Sequence, residues 1–116
     1  MAPPSKVAIA TGSVLRLVKE EASYHKEIAQ QEERIKKLEE SAGDENKEYT
    51  LRQEKQALAE TRNVLPSMQT KISTALEKLE EALELNKEGG TEASPEDVTK
   101  AEDAVAKGKE ALRQSS

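Results

Sequence analysis

The sequence predicts an all-α fold, an antiparallel three-helix bundle of coiled-coil character, and three observations carry that reading. Val14, Glu21, Ile28, Ile35 and Ala42 recur every seven residues, with Leu17, Tyr24, Gln31 and Leu38 three positions after the first four. The same rhythm returns in Leu51, Leu58, Leu65, Ile72 and Leu79. A repeat of seven holds one stripe of a helix against a partner helix over many turns. The composition agrees: of 116 residues, 34% are hydrophobic and 35% charged, Phe and Trp are absent, and Tyr24 and Tyr49 are the aromatic residues. Such a chain packs narrow Leu, Ile, Val, Met and Ala seams and encloses no broad core. Two turn signals, around Gly43 to Asn46 and around Gly89 and Gly90, cut the pattern into three helices within one domain, residues 1–116.

Helix one is expected over residues 5–41. Pro3 and Pro4 cannot lie inside it, Ser5 is a good N-cap, and Val7, Ala10, Val14 and Leu17 already follow the seam. Gly12 is its weak point. Glu32 to Lys36 and Glu33 to Lys37, acid first at a spacing of four, support its outer face. Gly43 ends it, and Asp44, Glu45 and Asn46 form a compact turn that folds the chain back antiparallel.

Helix two is expected over residues 47–86, with Met68, Ala75 and Ala82 on the second track and Leu76 and Leu83 widening the stripe. Pro66 lacks a backbone N–H and crowds the preceding turn, which predicts a kink there. The seam keeps its register past Pro66, so a bend is expected and not a break. Residues 87–93 form the second loop. Ser94, Pro95, Glu96 and Asp97 then open helix three, residues 95–114, with a capping hydroxyl, proline at the first position and acids at the positive helix end. Its stripe of Val98, Ala101, Val105, Gly108 and Leu112 is small, and Gly108 weakens it.

At 1.5 Å per residue the helices span about 55, 60 and 30 Å. The short third helix covers Pro66 to Asn86 and the early half of helix one, and leaves the far end, Gln30 to Leu38 against Tyr49 to Arg62, as a two-helix hairpin with partly exposed seam edges. A bundle with an uncovered end offers a partner something to grip. Seam positions occupied by Glu21 and Gln31 admit two readings. Long polar side chains reach out of a wet seam to water, or they give up stability to forbid other alignments.

The formal charge of −5, from 18 basic and 23 acidic residues mixed along every segment, argues against nucleic acid as a partner. The absence of Cys removes disulfides and thiolate chemistry and fits a reducing compartment. Val7 to Ala10 is far below the ~20 apolar residues of a membrane span, so a soluble cytoplasmic protein is expected. His25 is the single histidine, at the seam edge one turn from Glu21, without the further ligands a metal needs. It reads as an edge residue or a pH-sensitive contact. No nucleophile triad, phosphate loop or sheltered acid–base pair can be assembled, so no enzyme activity and no cofactor are expected.

The stretch from Thr11 to Leu38, with its RLVKEE run from Arg16 to Glu21, Tyr24 and the QQEE of Gln30 to Glu33, resembles the tubulin-binding cofactor A family. Tyr49 after the acidic turn, the segment from Ala57 to Leu79 and the Arg62 to Pro66 passage resemble it too. Helix three is similar only in placement and pattern. The resemblance implies a small helical cofactor of tubulin folding, found in the cytoplasm and associated with the microtubule cytoskeleton. Such a protein captures β-tubulin after chaperonin release and holds it, without nucleotide, until later tubulin folding cofactors pair it with α-tubulin. Tubulin is acidic as a family, so an acidic binder must rely on local basic positions: Lys19, Lys26, Arg34, Lys37 and Arg62. Tyr49, at the uncovered end, joins them as a partner-binding residue. The alternative from another class is a structural coiled-coil adaptor or scaffold without a client. A prefoldin-type subunit needs strands between its helices, and residues 42–46 are too short to contain them. A narrow seam also leaves self-association as a homodimer open.

Overall fold

The computed structural model of the protein describes residues 3–43, 45–89 and 92–114. Asp44 and Gly90, which the sequence places in the two turns, lie outside them. Three helices make up the described chain: α1 (Lys6–Glu40), α2 (Lys47–Gly89) and α3 (Pro95–Gln114).

Each helix end has a chemical cause. Ser5 caps α1, its Oγ accepting the Ala8 N–H at 3.0 Å. Ser94 does the same for α3, accepting the Asp97 N–H at 3.1 Å, with Pro95 as the first helical residue. At the end of α1 the Ser41 hydroxyl donates to the Leu38 carbonyl at 2.8 Å, and Lys47 Nζ donates to the carbonyls of Glu39 and Ser41 at 3.2 and 2.7 Å. That ammonium meets the negative end of the helix where its carbonyls have run out of partners. Gly43 does not stop α1 through a left-handed turn, since its φ is not positive. It leaves room instead, because a Cβ there would lie 2.7 Å from Lys47 Cδ. Helix α2 continues past Asn86 through Lys87, Glu88 and Gly89, and it stays helical through Pro66.

The chain forms two compact units, one from Met1–Glu20 with Met68–Ser116 and the other from Glu21–Ser67. The division on α2 falls beside Pro66.

The first unit holds three helices. Val14, Ile72 and Leu79 are fully buried at its seam, with Val7, Ala75 and Leu76 beside them. Helix α3 adds Ala101, Ala104 and Ala111 to the same cluster, with Val98, Val105 and Leu112 partly buried around them. Here the structure corrects the sequence reading of Gly108. Instead of weakening the stripe it is buried, and a Cβ there would meet Leu76 Cδ2 at 2.7 Å and Leu76 Cγ at 3.0 Å. Small residues let α3 approach α2 until backbone meets side chain. Lys109 pairs with Glu80 at 3.6 Å, and Ser5 Oγ donates to Asp97 Oδ2 at 3.2 Å, so α3 runs antiparallel to α2 and starts beside the start of α1.

The second unit is a hairpin of α1 and α2 segments only. Its core is Ile28, Ile35 and Leu58, with Leu51 and Leu65 partly buried against them. Thr61 is buried, its hydroxyl donating to the Ala57 carbonyl at 3.0 Å. Glu21 and Gln31 are buried too, at 3% and 4% exposure, so neither side chain escapes to water as a wet seam would require. Gln31 Oε1 has no hydrogen-bond partner among the described residues. An orphaned buried amide oxygen costs stability.

Three outcomes follow for thermal unfolding monitored by circular dichroism. Gly12→Ala should stabilise by about 0.5–1 kcal/mol, because nothing lies within 4 Å of an added Cβ and a helix interior favours Ala. Gly108→Val should destabilise by about 1–3 kcal/mol, since Leu76 is buried and cannot swing clear. Gln31→Leu should raise the melting temperature, removing an unmet polar group worth about 1–3 kcal/mol; a lowered one would show the oxygen to be satisfied.

Candidate partner interface

With charged residues flanking the seam, the hairpin has two chemically distinct edges. On one, Arg62 reaches Glu32 at 3.2 Å and Lys55 reaches Glu39 at 3.7 Å, a pair of rungs seven residues apart on both helices. On the other, Arg34 Nε reaches Glu54 at 3.4 Å. Glu33 and Lys37 make the expected intrahelical pair at 3.9 Å, whereas Glu32 turns to Arg62 in place of Lys36. It sits at the seam edge, where a cross-helix partner is as near as one on its own helix.

Of the sequence-predicted contact residues, Arg34, Lys37, Tyr49 and Arg62 thus belong to the hairpin with exposed side chains, and Lys26 is exposed on the same unit. Lys19 is exposed in the three-helix unit. Three of the six are already engaged in ion pairs. Exposed pairs of this kind contribute only about 0.2–1 kcal/mol each, so an incoming carboxylate can take over the cation at little cost. Tyr49 is 60% exposed and does not pack on the seam; its hydroxyl accepts from Gln53 Nε2 at 2.9 Å. His25 Nε2 lies 3.7 Å from Glu21 Oε1.

A second surface escaped the sequence reading. In the three-helix unit a groove of about 600 Å³ runs between α1 and α2, and no α3 residue lines it. Its floor is Ile9, Ala10, Leu17 and Ala75, and its cationic rim is Lys6, Arg16, Lys71 and Lys78. Ile9 is 57% exposed, a large apolar side chain left open to water. The available signal was an Ile off the heptad track, between two cations of α1, facing two α2 lysines seven residues apart.

Among the described residues, no group of three or more His, Cys, Asp or Glu side chains could hold a metal ion, and no helix is long and apolar enough to cross a membrane. Hydrogen bonding to Arg113 holds the Glu110 carboxyl below its ordinary value, and Glu110 raises Arg113 in return. This pair lies exposed near the end of α3.

The family described as tubulin binding cofactor A matches residues 2–105. Tubulin-specific chaperone A from Homo sapiens is 37% identical over 83 residues, 72% of this chain and 74% of that protein. Its counterpart from Saccharomyces cerevisiae is 31% identical over 109 residues, 94% of this chain and 95% of that one. The crystal structure of tubulin folding cofactor A from Arabidopsis thaliana superposes with a TM-score of 0.77 at 26% identity, covering 90% of this chain and 92% of that one. Three helices, the heptad seams and these likenesses converge: the chain belongs to the tubulin-binding cofactor A family.

Proposed function

We propose that the protein captures β-tubulin after its release from the chaperonin and holds it, without nucleotide, until later tubulin folding cofactors bring it together with α-tubulin. Family membership supports a tubulin partner. The observation that carries the holding mechanism is the hairpin unit, in which Leu51 and Leu65 stay only partly buried because no third helix contributes to its core. A folding client exposes apolar surface, and a seam with open edges can cover that surface reversibly. Release follows when a competing partner offers more binding energy, so no hydrolysis is needed to drive it. The chaperone acts in the cytoplasm, where tubulin folds and microtubules assemble.

Contact is assigned to the outward faces of the first two helices, through Lys19, Lys26, Arg34, Lys37, Tyr49 and Arg62. The cations meet client carboxylates, and the exposed Tyr49 ring supplies apolar area with a polar tip. An obligate homodimer is not required by this mechanism, and sedimentation would show whether the chain also self-associates.

Purified α- and β-tubulin, offered separately in a pull-down, test the function: retention of β-tubulin in preference to α-tubulin is expected, and retention of neither returns the protein to the scaffold class. Charge reversal of Lys37 and Arg62 together, Lys37→Glu with Arg62→Glu, should weaken capture about tenfold while helical content stays intact, since each lost charge contact is worth about 0.5–1 kcal/mol or more once desolvated. Capture should also weaken as salt rises, because exposed charges are screened over about 8–10 Å at physiological ionic strength.

A further inference from the structure

Helix α3 occupies one side of the α1–α2 pair in the three-helix unit, and the groove lies on a side that no α3 residue lines. On α1 it extends from Lys6 to Leu17, about 17 Å, which is the length of three helical turns. A floor of small and aliphatic side chains, with Ile9 exposed among them, suits a helix laid along the pair, which would complete a four-helix arrangement.

The rim states what kind of helix fits. Although the chain as a whole carries a charge of −5, all the charged residues that line this groove are basic. Ion pairs engage cations of the hairpin and of α3, but among the described residues none of Lys6, Arg16, Lys71 and Lys78 takes part in one. Cations without local partners, set on both walls of an apolar trough, are complementary to carboxylates on both flanks of an apolar stripe. A helix with basic flanks would meet repulsion from both walls. Carboxylates arriving here displace no existing ion pair, unlike at Arg34 and Arg62.

We propose that this groove seats an acidic amphipathic helix of the captured tubulin, its carboxylates facing Lys6, Arg16, Lys71 and Lys78. The assignment rests on the tubulin-capture reading above and adds a second contact surface to the hairpin. Capture then uses two sites on one chain, and each site reinforces the other by raising the local concentration of its counterpart.

The test uses the full-length chain, a groove variant (Arg16→Glu, Lys71→Glu, Lys78→Glu) and a matched control (Lys36→Glu, Lys87→Glu, Lys100→Glu) carrying the same change in net charge. Two fluorescein-labelled designed helical peptides serve as probes, each with Leu along one face, one flanked by Glu and the other by Lys. The wild-type chain and the control should prefer the Glu-flanked peptide by about tenfold or more, and the groove variant should lose or reverse that preference. Ile9→Ser, at an exposed position that cannot unfold the core, should weaken the Glu-flanked peptide without changing the helical circular dichroism signal. With β-tubulin, the groove variant should capture about tenfold less than the control. Equal peptide preference or equal tubulin capture by groove variant and control overturns the proposal. So does a wild-type dimer that Ile9→Ser dissociates, because the groove would then belong to a second copy of the chain. A wild-type chain that selects the Glu-flanked peptide and retains no tubulin overturns the tubulin reading, and leaves the groove's choice of an acidic helix standing.

Discussion

Each of the two units depends on its own seam between α1 and α2 segments, and on what flanks that seam. The position four residues after each main-track residue carries the decisive chemistry. On α2 it is Lys55 and Arg62 in the hairpin unit and Leu76 and Leu83 in the three-helix unit. On α1 it is Thr11 and Val18 in the three-helix unit and Glu32 and Glu39 in the hairpin. In the three-helix unit Leu76 is buried and Val18 and Leu83 are partly buried in the cluster that α3 joins, whereas in the hairpin unit Arg62 to Glu32 and Lys55 to Glu39 close the edge.

Docking of α3 is an exercise in close approach more than in apolar area. Its buried residues are Ala101, Ala104, Gly108 and Ala111, none of which brings much hydrophobic surface. What they provide is the absence of bulk, so that Leu76 lies against the Gly108 backbone at contact distance. Dense packing gives dispersion contacts that a wider gap would forfeit. The capping serine of α1 adds a directional tie to Asp97 of α3, which fixes the side on which the third helix starts. The hairpin unit has a smaller core and holds the buried Gln31 oxygen as an internal cost. Register decides which cations of α1 and α2 share an edge there.

Long helices present extended faces whose side chains can change partners. The exposed ion pairs are weak enough to exchange. The open groove and the exposed Tyr49 and Ile9 supply apolar area, at 60% and 57% exposure for the two side chains. Acidic net charge keeps such a chain from sticking to other acidic surfaces, so attraction is confined to the places where cations cluster.

The sequence by itself determined the helices. Heptad spacing, Ser5 and Ser94 as caps, Pro95 at a first helical position and the polar segment after Glu40 are local signals, and chain stereochemistry turns them into local structure without help from distant residues. The candidate cations Lys26, Arg34, Lys37 and Arg62 could also be placed on outward faces from periodicity alone. Only the tertiary structure decided which of them already have partners, since Glu32 and Arg62 are thirty positions apart and their meeting depends on register. It also decided that Gln31 is sealed from water, that Gly108 is a contact and not a gap, and that the bare side of the α1–α2 pair is basic. Each of these depends on which side of a seam the third helix fills, and that choice is a sum over many small contacts between segments remote in sequence, which no single stretch of the chain encodes.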